Sequence, residues 1–320
     1  MRAGVLGHEG GGEADGGREH RGERVSRTLH IVLLRCMVRG TDGTEAAGGF
    51  MMVRLRRTVR FAVNAPEFRA GPGGANGYGG KPPMRGLGRQ FEIDVACEGE
   101  PDPATGYLVN IKTIDEAVRR AVVPAIERAC DDRPGEDPVR LIGEFGLPLA
   151  EALAPVELRA LRWKLTPTYS VEQIMANETG ATPRVLLRQR FDFAAAHRLH
   201  VPTLSDEENR RVFGKCNNPS GHGHNYQVEP CVAITPGGGF GVEQLEAVVD
   251  EVLIEPFDHT HLNEDTTDFS ADGGVNPTVE NIAKVFYERL APAVSGASDG
   301  AELVSLTVWE TDRTCCTYPA

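Results

Sequence analysis

The sequence predicts an α+β fold built twice over: two consecutive units, each a four-stranded antiparallel sheet with two helices packed on one face. Three observations predict it. The order strand, strand, helix, helix, strand, strand runs through residues 53–180 and recurs through residues 186–320, which marks an internal repeat. Apolar residues alternate in runs such as Phe91-Glu92-Ile93-Asp94-Val95, the period of a half-buried strand. Ile114, Ala117, Ala121 and Ile126 fall on one side of a helical wheel, as a helix covering a sheet requires.

Each element follows in order. Residues 1–50 are rich in Gly, Arg and Glu without periodicity and read as a disordered tail, or as sequence ahead of a true start at Met51 or Met52. A strand at 59–63 leads through a Gly-rich loop (71–80) into a strand at 89–97, as a hairpin. A turn at 101–106 and the segment 107–110 precede a helix over 113–129, a second helix over 138–152 and a strand over 158–165. In the second unit, strands at 188–193 and 225–234 come first, then a Pro-Gly-Gly-Gly turn at 236–239 and a helix over 242–255. A helix from Thr278 to about Leu290, a strand at 303–309 and a further strand at 314–318 complete it.

Composition narrows the function classes. With 320 residues, 40% hydrophobic and 25% charged, the chain fits a soluble protein of two ordinary domains. A net charge of −12 disfavours nucleic-acid binding, which needs basic surface, but leaves room for a local basic pocket. No apolar run reaches the length of a membrane span, and the stretch Leu29–Leu34 is neither long enough for one nor placed like a signal peptide. Seven cysteines without a CxxC pair do not form a disulfide framework, and a reducing cytoplasm is the expected compartment.

The histidines carry the chemistry. Of nine, none lies between His30 and His197, and six fall between His197 and His261. His222 and His224 are two apart at the start of a strand, so their rings share a face. The hairpin brings His197 beside them, and three convergent imidazoles suit a zinc ion with its fourth position open. Cys216 sits in a Gly- and Asn-rich loop next to Lys215, a setting that favours thiolate, while Cys231, Cys315 and Cys316 lie in strand-like runs and read as structural. In Asp258-His259 the carboxylate can orient the imidazole for proton exchange. Asn276 or Thr278 can cap a helix with Glu280 in its first turn. Glu310, at a strand end, can accept two parallel hydrogen bonds from the guanidine-like edge of a heterocycle.

Taken in order, the motifs AAHRL (195–199), LSDEEN (204–209), FGKCNNPSGHGHNY (213–226), FDHTHLN (257–263), PTVENIA (277–283) and VWETD (308–312) resemble those of the 6-pyruvoyltetrahydropterin and 6-carboxytetrahydropterin synthases. The resemblance covers about residues 188–320. It implies a tunnelling fold (T-fold), zinc (Zn2+) on His197, His222 and His224, a catalytic Cys216, a relay through Asp258 and His259, a pterin ring anchored by Glu310, and Thr278 and Glu280 along the pterin pocket. It implies 7,8-dihydroneopterin triphosphate as substrate and a carbon–oxygen lyase that eliminates triphosphate. The five residues between Cys216 and His222 resemble the pyruvoyl-forming branch of tetrahydrobiopterin biosynthesis. The carboxy-forming branch of queuosine biosynthesis is the alternative on the same substrate. A non-catalytic zinc- or pterin-binding protein is the alternative of another class, opposed by the intact set Cys216, Asp258, His259 and Glu310.

The first unit lacks this chemistry. Aligned strand on strand, Glu67 stands near the place of His197, Leu87 and Arg89 replace two ligands, Ile126 and Glu127 replace Asp258 and His259, and Leu165 replaces Glu310. Residues 53–180 thus read as a degenerate copy, and residues 186–320 as the catalytic domain. The resemblance further implies a homo-oligomer: three tandem chains forming two stacked barrels, one of first halves and one of second halves.

Overall fold

The computed structural model describes residues 52–69, 77–176, 183–235 and 238–320. The expected tail over residues 1–50, most of the Gly-rich loop and the tip of the 236–239 turn lie outside the described residues.

The first half contains β1 (Val53–Val63), β2 (Arg89–Gly99), α1 (Ile111–Ala121), α2 (Val123–Asp132), α3 (Pro138–Leu141), α4 (Gly146–Leu153), β3 (Glu157–Lys164) and β4 (Tyr169–Ile174). The expected hairpin is present, with β1 antiparallel to β2 from Val53↔Gly99 to Val63↔Arg89. The helix expected over 113–129 is two helices meeting at Val122, because Pro124 has no N–H to give and crowds the preceding turn. The helix expected over 138–152 is likewise broken, by a 3-10 turn over Ile142–Glu144 between α3 and α4. β4, unlocated in the sequence reading, supplies the fourth strand.

The second half contains β5 (Arg184–Gln189), β6 (Phe191–His197), α5 (Asp206–Phe213), β7 (His222–Ile234), α6 (Val242–Val249), α7 (Glu255–Phe257), β8 (Thr260–His261), α8 (Leu262–Asp265), α9 (Val279–Ala297), β9 (Ala301–Thr311) and β10 (Thr314–Tyr318). A π-helical turn over Asp250–Ile254 joins α6 to α7. The strand expected at 188–193 is divided at Arg190: β5 pairs with the end of β7 and β6 with its start. The LSDEEN segment, not read as a helix, opens α5 with a reciprocal cap in which Ser205 and Glu208 satisfy each other's backbone. α9 runs well past Leu290 and carries Pro292 within it.

Both halves share one sheet. The described strands run β1-β2-β3-β4-β5-β7-β6-β8, with β9 on β7 and β10 on β9. The joint is β4 against β5, from Tyr169↔Gln189 to Ile174↔Arg184. One hydrophobic cluster of the described residues runs through both halves, from Phe61, Ile93 and Trp163 under α1, α2 and α4 to Phe193, Tyr226 and Val308 under α9. The opposite face of the first half is charged. Glu172 on β4, nearly buried, accepts from Arg162 on β3 at 2.7 Å and from Arg188 on β5 at 2.8 Å, so an ion-pair row crosses the joint between halves.

This continuity bears on how copies of the chain can meet. Strands hydrogen-bonded side by side belong to one sheet, so first halves cannot close one barrel while second halves close another unless the β4–β5 ladder is broken.

Candidate metal and proton-transfer site

The site forms where the core face of the second half's sheet runs out. On β6, Phe193, Ala195 and His197 point to one face, and the β7 partners Tyr226, His224 and His222 point to the same face in register. On β9, Leu306 and Val308 are core residues, and Glu310 is the next residue in that row. The apolar rows thus end in three imidazoles and a carboxylate.

The ring nitrogens of His197, His222 and His224 all lie within 4.8 Å of one another, the one group among the described residues with the makings of a metal site. Nε2 of His197 and Nε2 of His222 are 3.1 Å apart. A tetrahedral ion with zinc–nitrogen bonds of about 2.0–2.1 Å sets its ligand nitrogens about 3.3 Å apart, so this spacing fits a cation between them. His224 Nε2 is buried without a hydrogen-bond partner, which leaves a lone pair for an ion. His197 is completely buried and its Nδ1 lies 2.7 Å from the carbonyl oxygen of Pro277. That contact fixes the tautomer, with Nδ1–H donating and Nε2 facing its neighbours.

Burial, together with the neighbouring His222, His224 and His261, pushes the His197 imidazole down to about 4, against the opposing pull of the Pro277 carbonyl. Burial and His224 likewise lower His222. Both rings are neutral near pH 7, the form that binds a metal. Because His197 binds a proton more readily unfolded than folded, the metal-free chain is expected to lose stability as pH falls from 6.5 towards about 4. The loss is at most about 3 kcal/mol. Chemical unfolding of metal-free protein across that window measures it, and His197→Gln should flatten the slope. An equal slope in both proteins contradicts this account.

Glu310 Oε1 lies 3.6 Å from His197 Nε2 and 3.7 Å from His224 Nε2. The carboxylate expected at the pterin ring therefore stands beside the imidazole cluster. Glu280 is exposed in the first turn of α9, close enough to Cys316 on β10 to help push that thiol up after burial. Thr278 caps α9 by accepting from the Asn281 N–H at 3.3 Å, while Pro277 before it holds His197.

Cys216 and the Asp258–His259 pair stand on different flanks. Cys216 sits in a 3-10 turn (Gly214–Asn217). The turn is tied to the segment after β6, with the Leu199 N–H donating to the Cys216 carbonyl at 2.8 Å and Asn217 Nδ2 to the Leu199 carbonyl at 2.7 Å. Cys216 and His222 line one hollow of about 630 Å³. His259 lines another, of about 490 Å³, with His224, Thr260 and His261. Asp258 accepts from the Ala194 N–H at 2.8 Å and from His259 Nδ1 at 2.8 Å. These bonds hold its carboxyl below the usual carboxylate range, the Ala194 bond foremost. His259 adopts a left-handed backbone (φ 58°) with its side chain 83% exposed. Among the described residues no hydrogen bond or ion pair links Cys216 to Asp258 or His259 within the chain.

Sequence reasoning missed several parts. Tyr226, two residues beyond His224 and therefore on its face, places its hydroxyl 3.3 Å from His197 Nδ1. Burial, then the Glu310 and Cys216 charges, keep its phenol protonated. His261 has both ring nitrogens buried without partners. Its Nε2 packs where a Cβ on Gly221 would stand, and Gly221 has φ 69°, so the turn into β7 requires glycine. The two-residue period marks Tyr226, whereas nothing local in the sequence distinguishes His261 from an exposed histidine.

The family profile described as 6-pyruvoyl tetrahydropterin synthase matches residues 186–320. The chain is 39% identical over 130 residues to a 6-pyruvoyl tetrahydrobiopterin synthase of Poecilia reticulata, covering 39% of this chain and 84% of that protein. The chain belongs to the 6-pyruvoyl tetrahydropterin synthase family. A human 6-pyruvoyl tetrahydrobiopterin synthase is 37% identical over 134 residues, covering 41% of this chain and 88% of that protein. A Bacillus subtilis 6-carboxy-5,6,7,8-tetrahydropterin synthase is 31% identical over 110 residues, covering 34% of this chain and 73% of that protein. Among solved structures, the Caenorhabditis elegans 6-pyruvoyl tetrahydropterin synthase is 35% identical, covering 43% of this chain and 96% of that one, with a TM-score of 0.38. The synthase-family segment contains every candidate site residue named above. No helix among the described residues is long and apolar enough to cross a membrane.

Proposed function

We propose that residues 186–320 form a zinc-dependent 6-pyruvoyltetrahydropterin synthase-like lyase that takes 7,8-dihydroneopterin triphosphate and releases triphosphate. The observation that carries this reading is the convergence of His197, His222 and His224 nitrogens within 4.8 Å, with Glu310 against them, in a segment matching the synthase family. A bound zinc ion would supply Lewis acidity toward the substrate's side-chain hydroxyls. Cys216 and His259 exchange protons with the substrate. Asp258 keeps the His259 imidazole oriented. Glu310 is the carboxylate that anchors the pterin ring through paired hydrogen bonds, with Thr278 and Glu280 lining the pocket.

The reaction balances without an external oxidant. The carbon–oxygen bond to triphosphate breaks, its electron pair leaving with the phosphate oxygen, and a proton leaves the adjacent carbon. The resulting enol becomes one ketone. The second forms as its hydrogens pass to the dihydropterin ring.

Residues 53–180 have a four-strand order with helices like that of the second half, which supports reading them as a copy without a site. Val63↔Arg89 closes the first hairpin as His197↔His222 closes the second, so a valine and an arginine stand at the ligand rungs. β1 and β10 each lack a partner on one side among the described strands, and we expect further copies of the chain to cover these edges.

Incubating the full chain with zinc and 7,8-dihydroneopterin triphosphate, then identifying the pterin by mass spectrometry, tests this reading. A pyruvoyl product with equimolar triphosphate is expected. A carboxy product assigns the other branch, and binding without conversion leaves a non-catalytic protein.

A further inference from the structure

Two hollows flank the histidine cluster, and they differ in charge. The one lined by His224, Thr260, His259 and His261 has no lysine or arginine in its wall. The other, lined by His222, Cys216 and Asn218, also has Arg210 and Lys215, and no carboxylate. Several cations of the sheet are neutralised by carboxylates: Arg57, Arg60, Arg162, Lys164 and Arg188 each meet one within 3.1 Å. Arg210 and Lys215 are exposed and have no carboxylate within ion-pair distance among the described residues. Local structure aims them together. The acidic residues Asp206, Glu207 and Glu208 occupy the first turn of α5 and Arg210 its last. Gly214, with φ 56°, then turns the chain so that Lys215 faces the same space.

We infer that this hollow is the seat of a triphosphate group, held by Arg210 and Lys215 beside Cys216. The inference rests on the reaction proposed above. A substrate whose side-chain hydroxyls meet the histidine cluster carries its triphosphate one or two carbons away, so the phosphates must enter a hollow adjoining the cluster. Only one of the two offers cations. Bond breakage places a further negative charge on the departing oxygen, and fixed cations at that point stabilise it. Arginine can bind phosphate oxygens in pairs, and lysine acts as a point charge.

The test is calorimetric titration of the full chain with inorganic tripolyphosphate at low ionic strength, for the wild type, Arg210→Gln, Lys215→Gln and the control Arg211→Gln. Arg211 is exposed on the same helix but does not line the hollow. Each of the first two variants should weaken binding about tenfold, and the control should bind as the wild type does. Absence of binding, equal affinity in all four proteins, or an equal loss in Arg211→Gln would overturn the inference. If the pattern holds but 7,8-dihydroneopterin triphosphate is not converted, the seat stands and the proposed reaction falls. If the substrate is converted while Arg210→Gln and Lys215→Gln bind tripolyphosphate normally, the seat alone falls.

Discussion

Cys216→Ala is expected to lower turnover of 7,8-dihydroneopterin triphosphate by roughly 10²–10⁴-fold, the usual worth of a placed acid or base, without loss of metal or fold. The thiol lines the hollow that contains His222, yet the turn carrying it is anchored through the backbone: its own carbonyl accepts from Leu199, and Asn217 supplies the side-chain tie. Removing the sulfur therefore leaves the loop's bonds in place. A steady-state assay beside a metal determination checks the claim. Full activity in Cys216→Ala contradicts the proton-transfer role, whereas lost activity accompanied by lost metal makes the residue a ligand instead.

His224→Ala is expected to remove the bound metal and, with it, turnover. Of the three imidazoles it gives the cleanest variant. His197 is completely buried and bonded to Pro277, so its loss disturbs the core as well as the site. His224 has a side chain 19% exposed and a buried Nε2 with no hydrogen bond to break. Loss of a ligand must cost more metal affinity than the roughly 10–100-fold typical of an outer hydrogen-bond partner. Competition with a chromophoric chelator measures this, and an affinity within a few-fold of the wild type contradicts the three-histidine centre.

The site was legible wherever its residues repeat every second position on a strand. His222 and His224 declare a shared face, and the hairpin that brings His197 opposite follows from alternating apolar residues on both strands. Glu310 was legible as a strand-end carboxylate, but not its direction, because only the pairing of β9 with β7 puts Leu306, Val308 and Glu310 in the row that ends at the imidazoles. An order of strands and helices was legible in each half. The joint between the halves was not: β4 is a strand of only six residues, and its ladder with β5 sets Val171 against Leu187 beside an Arg162–Glu172–Arg188 row drawn from three strands. Helix breaks at Val122 and over Ile142–Glu144 follow from Pro124 and from glycines at 143 and 146, signals outweighed in the sequence reading by the helical spacing of Ile114, Ala117 and Ile126.

The proposed reaction places all of its chemistry in one half of the chain. The one candidate metal group among the described residues lies in the second half. Metal analysis of the purified, zinc-loaded full chain tests this most directly. One equivalent of zinc per chain, absent from His224→Ala, is the predicted result. Two equivalents, or one that persists in His224→Ala, would contradict it.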